Sequence, residues 1–163
     1  MDAASARYST LQIALHWLIA AAVLFQLVFG ESMTNVVDAA EEGATVSGSD
    51  QFLASAHYWV GLSILALVLV RLVARLTHGA PEPAGTALTR KAATTVHWLF
   101  YALLFATPIA GLLAVYVSEE FGDIHAAAKP VFIVLILAHA AGALFHQFVV
   151  KDGTLMRMIR ARA

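Results

Sequence analysis

The chain has 163 residues, of which 60% are hydrophobic and 13% charged, against about 45–50% and about 25% in soluble globular proteins. That is room for one domain with the composition of a membrane protein, and a net charge of −1 singles out no class of partner. With no cysteine at all, disulfides, thiolate metal sites, iron–sulfur ligation and covalent c-type haem attachment are excluded.

Four apolar stretches follow one another. The first, Leu11–Gly30 ("LQIALHWLIAAAVLFQLVFG"), carries His16. It exceeds the usual apolar core of a signal peptide and no A-x-A-like site follows it, so it reads as a span and not a cleaved leader. A polar linker, Glu31–Gln51, leads to the second stretch, Phe52–Leu76, which holds His57, Arg71 and Arg75. Linker Thr77–Lys91 precedes the third, Ala92–Val117, with His97, Tyr101 and a "TPIAG" segment whose Pro108 and Gly111 would kink or thin the helix. Linker Ser118–Lys129 precedes the fourth, Pro130–Val150, with His139 and His146. At about 1.5 Å per residue each stretch crosses a hydrocarbon layer of about 30 Å. The expected fold is all-α, an integral-membrane four-helix up-down bundle forming a single domain over 1–163.

An even number of spans puts both termini on one side. That side holds Arg7, Arg71, Arg75, Arg90, Lys91, Lys151, Arg157, Arg160 and Arg162, nine of the ten basic residues. The positive-inside rule predicts that both termini are cytoplasmic. The opposite side holds Lys129 against Glu31, Asp38, Glu41, Glu42, Asp50, Glu119, Glu120 and Asp123.

Five of the seven histidines fall inside the spans, while His78 and His125 fall in linkers and read as surface residues. An ionisable side chain in a bilayer is costly and is a functional candidate by default. One alone could simply bond across a helix interface; five with no carboxylate beside them in the spans are harder to explain that way. Depth suggests pairs: His57 with His139 at the outer level, His16 with His146 at the inner. Seven residues turn a helix about 20° short of two turns and raise it about 10.5 Å, so His139 and His146 face the same way. Gly142 and Ala143 between them, Gly61 after His57 and Ala20 after His16 would leave room for flat cofactors, although small residues also serve close helix packing. Two levels of paired imidazole are what two bis-histidine haems stacked in a bundle need. Zinc or proton-transport sites would want carboxylates, and nucleophile triads, phosphate loops and nucleic-acid motifs are absent. His97 could replace His16 or His146 as a ligand, but with Arg71 and Arg75 it reads as a contact to a haem propionate or a quinone.

The pieces "RYSTLQIALHWLIA", "HYWVGLSILALVLVRLVARL", "VHWLFYALLFATPIAGLLA" and "LAHAAGALFHQFVVKDGTLMRMI" together resemble the bacterial cytochrome b561 family of small di-haem membrane proteins. The resemblance covers nearly all the chain outside the loops. It implies His16, His57, His139 and His146 as axial ligands of two haem b groups, and electron exchange with ubiquinone in the inner membrane. Some members are similar to superoxide oxidases. Here the acidic outer loops disfavour an anion funnel and better suit a basic partner such as a soluble cytochrome c. The expected function is therefore electron transfer between an outer-side partner and the quinone pool, with superoxide:quinone oxidoreduction one form of it. The alternative is a relay or anchor subunit of a larger dehydrogenase or hydrogenase. Lipid and quinone are expected partners, nucleic acid is not, and a homodimer is compatible with the self-contained reading.

Overall fold

A computed structural model describes residues 8–160; Arg7 and Arg162, counted above among the basic residues, lie outside the described residues. The elements are α1 (Thr10–Phe29), α2 (Glu31–Glu42), α3 (Gly48–His78), α4 (Ala87–Tyr116) and α5 (Glu120–Phe145), which runs on into one π turn, His146–Val150. A short 3₁₀ turn, Met156–Met158, follows. α1, α3, α4 and α5 with its π turn are each long and apolar enough to cross a membrane, and no strand occurs among the described residues. The four-helix membrane bundle expected from the sequence is the fold.

Local chemistry explains the helix starts. Ser9 accepts from the Gln12 main-chain N–H while the Gln12 side chain accepts from that of Ser9, a reciprocal capping box. Ser47 and Thr86 cap α3 and α4 in the same sense, through the Asp50 and Thr89 amides. A small core joins Ile19 and Val23 of α1, Ile64 and Val68 of α3, Tyr101 and Leu104 of α4 and Phe132 of α5. Most other large apolar residues, among them Leu18, Val28, Leu69, Val70 and Leu137, point outward, as lipid-facing side chains do in a spanning helix.

Two elements depart from the sequence reading. The linker after α1 contains a further helix, α2, which packs along α3 and ends at Gly43 in the left-handed conformation (φ 66°). The fourth span also begins ten residues early, at Glu120 and not Pro130. The sequence reading bounded this span by its apolar run, which starts at Pro130 after the polar stretch Ser118–Lys129. A spanning helix can run through a proline, and α5 does so at Pro130. His125 therefore lies within α5 and not in a linker.

Packing between helices is uneven. α1 lies against α3, α3 against α2 and α4, and α4 against α5. Among the described residues, α5 makes at most incidental backbone approach to α1 or α3. That side of the bundle is joined through side chains.

Candidate functional site

The histidines bridge this gap. His16 on α1 faces His139 on α5 with ring centres 6.3 Å apart. About 21 Å further along α5, fourteen residues towards its start, His125 faces His57 of α3 with ring centres 5.8 Å apart. Fourteen residues fall about 40° short of four full turns, so both imidazoles of α5 leave the same broad face. One pair lies towards the end that carries the chain termini, the other towards the opposite, far end.

This differs from the expected pairing. His57 meets His125 and not His139, because the early start of α5 puts His125 at the level of His57. His16 meets His139 and not His146. His146 opens the π turn; its Nδ1 is 2.5 Å from Asp152 Oδ2, and its Cε1 edge lies towards Gly85 of the α3–α4 loop. The Asp152 carboxylate also accepts from the Thr154 main-chain N–H at 2.9 Å. Burial opposes the ionisation of Asp152, but its bonds from Thr154 and His146 outweigh that and hold its carboxyl below the usual carboxylate range. α5 thus carries one histidine of each facing pair, His139 and His125.

The far pair is built in detail. His125 Nδ1 lies 2.8 Å from the main-chain oxygen of Thr107 on α4. A carbonyl only accepts, so Nδ1 carries the proton and Nε2 is left with its lone pair. The ring lies against Gly111, where a Cβ would come 2.9 Å from Nδ1 and 3.1 Å from Cε1. The "TPIAG" segment thus supplies both the acceptor and the space. Across the gap, a Cβ on Gly30 would lie 3.4 Å from His57 Cε1, so the α1–α2 junction closes on that ring.

Around the other pair stand the remaining candidates. His97 on α4 packs edge-on against His139 with centres 5.6 Å apart, across the closely packed α4–α5 seam. Arg71 donates from Nη1 to the Gln12 carbonyl at 2.8 Å, and its Nη2 lies 3.4 Å from His16 Nδ1. Arg75 stands over the Trp98 ring, 5.8 Å from its centre. His78 is exposed at the end of α3.

The donor set fits haem. Two imidazoles on opposite faces of one metal ion, with metal–nitrogen bonds of about 2 Å, have ring centres about 6 Å apart. Both pairs match that spacing, both cross the open side of the bundle, and His125 has the tautomer a metal ligand needs. His57 Nδ1 is buried with no hydrogen-bond partner among the described residues, a cost a structural histidine would not carry without a further role.

Comparison with known proteins follows the same line. The sequence model of prokaryotic cytochrome b561 matches residues 7–161. The chain is 40% identical to "Cytochrome b562" of Cereibacter sphaeroides over 156 residues, 95% of this chain and 96% of that one. It is 28% identical to "Probable superoxide oxidase CybB" of Yersinia pestis, covering 94% of this chain and 96% of the relative. It is also 28% identical to "Cytochrome b561 homolog 1" of Escherichia coli, covering 96% and 98%.

Proposed function

The chain belongs to the prokaryotic cytochrome b561 family of membrane electron-transfer proteins, and from that premise we propose that it is a di-haem b cytochrome linking a donor at the far end to ubiquinone. The observation that carries the reading is the two imidazole pairs at two levels of the side where α5 faces α1 and α3 with little backbone contact. His57 and His125 would hold one haem b, His16 and His139 the other. Bound haem supplies a one-electron carrier.

The protein's own residues define the chemistry around it. Two imidazoles on each iron would leave no coordination site open, so exchange with partners would be outer-sphere. Thr107 fixes the tautomer and orientation of His125, and Gly111 and Gly30 admit the far pair of rings. Arg71, half-buried with no carboxylate bonded to it among the described residues, is suited to an anionic group such as a propionate. His97 packs on His139 and positions it.

The distribution of basic residues supports a cytoplasmic location for both termini, in a bacterial inner membrane. The far end would then face outward. α2 brings Glu31, Asp38, Glu41 and Glu42 to that end, with Asp50, Glu119, Glu120 and Asp123 nearby and Lys129 as the basic residue. Such a face suits a basic soluble electron-transfer protein better than superoxide, the substrate printed in the name of the Yersinia relative.

Haem quantification on the purified protein is expected to give two haem b per chain, and stopped-flow mixing should show rapid electron exchange with a ubiquinol analogue. One haem per chain, or haems that a quinol cannot reduce and a quinone cannot oxidise, would overturn the reading.

A further inference from the structure

Between His16 and the end of α1 the only strongly polar side chain is Gln26. Its Nε2 donates to the main-chain oxygen of His57 at 2.9 Å. Gly61, one turn along α3, makes the approach possible, since a Cβ there would lie 3.2 Å from Nε2. This bond fixes which way the amide faces, because only the nitrogen can donate. It leaves Oε1 as a free acceptor. Oε1 is buried and has no partner among the described residues, and the same is true of His57 Nδ1.

The two unpaired atoms are complementary. If Nε2 of His57 binds iron, Nδ1 must carry a proton and needs an acceptor. Oε1 of Gln26 is an acceptor in need of a donor, in the same α1–α3 seam, beside the very residue to which its amide is tied. Gly30 bounds the pocket on its other side, where a Cβ would lie 3.5 Å from Nδ1. Inside a membrane span no bulk water can satisfy either atom.

We infer that Gln26 accepts the Nδ1 proton of His57, directly or through one ordered water, and so is the positioning residue that sets the reduction potential of the haem held by His57 and His125. This rests on the ligand assignment proposed above. An acceptor on Nδ1 makes the imidazole a stronger electron donor to the metal and favours the oxidised iron. The partner of His125 is a main-chain carbonyl, which side-chain substitution does not remove. Gln26 is a side chain, so it is the adjustable half of this site.

The test is a spectroelectrochemical titration of the full-length protein in detergent, with haem stoichiometry measured alongside. Gln26→Leu should keep two haems and make one of them easier to reduce, by about tenfold in the equilibrium constant, which is about 59 mV for one electron. The other haem should not move. Gln26→Glu keeps an oxygen at the same reach and should hold that potential at or below the wild-type value. Gln26→Met is read in the same way as Gln26→Leu if the leucine variant loses haem. An unchanged titration in the apolar variants, equal shifts of both haems, or a rise in Gln26→Glu matching that in Gln26→Leu would overturn the inference. The ligand assignment fails separately: His57→Ala that keeps two haems would remove the premise whatever Gln26 does.

Discussion

At the scale of single residues, a histidine in a membrane span means little until its two ring nitrogens are accounted for. His125 and His146 make the comparison. Each has Nδ1 tied up, His125 by the Thr107 carbonyl and His146 by Asp152. His125 faces a second imidazole across an open slot, whereas His146 faces the α3–α4 loop. His125→Ala is therefore expected to lower the haem content from two to one per chain, and His146→Ala to leave it at two, as read by a reduced-minus-oxidised spectrum with haem extraction. The Asp152–His146 pair has a stabilising role instead. Because the carboxyl is held below its ordinary value, its contribution is complete above the unfolded carboxylate pKa and is lost as the pH falls through the folded one. The pair lies at the edge of the bundle within reach of water, so screening limits it to about 0–1 kcal/mol. Asp152→Asn should lower the thermal midpoint slightly at neutral pH, and that difference should close in acid.

At the scale of elements, α4 and α5 form one device. α5 presents both imidazoles, and the "TPIAG" turn of α4 accepts the ring of His125. A side chain at Gly111 would have to displace that ring, since even a Cβ would come within 2.9 Å of it. Gly111→Val should reduce far-site haem occupancy severalfold while the other site stays filled. Gly142→Ala, where a Cβ meets no other side chain or backbone within 4 Å, should match or exceed the wild-type thermal midpoint, since alanine is the better helix former by about 1 kcal/mol. The same elements show what was readable from the sequence. The four spans were legible because apolar length alone identifies them. His16, His57 and His139 stand out as candidates because a polar ring is conspicuous in a span. The place of His125 within α5 was not legible because the apolar run starts at Pro130 and the polar stretch before it reads as a linker. The spacing of His125 from His139, fourteen residues, was the available signal. The helical nature of α2 was missed because a charged segment between two spans reads as a loop until α3 offers a surface to pack on.

At the scale of the whole molecule, charge is sorted by end. The described basic residues other than Lys129 gather at the end with the termini, and eight of the ten described acids lie at the far end, four of them on α2, with Glu82 and Asp152 the exceptions. A reporter fused after Ala163 should therefore behave as cytoplasmic: green fluorescent protein should fluoresce and alkaline phosphatase should stay inactive. The acidic end has a kinetic consequence that separates the candidate donors. Opposite charges accelerate encounter by about 10–10³-fold at low ionic strength, and salt removes the advantage. Electron exchange with a basic soluble cytochrome c should slow markedly as salt rises from about 10 mM to about 150 mM, as the screening length falls from about 30 Å to about 8 Å. Neutralising Asp38, Glu41 and Glu42 together as Asp38→Asn, Glu41→Gln and Glu42→Gln should lower that rate constant about tenfold at low salt, with the haem spectrum unchanged. For superoxide both signs reverse, because an anion approaching an acidic face is helped by salt and by removal of the acids. The direction in which this one variant moves the rate thus identifies the donor that the surface of α2 favours, independently of the haem ligands.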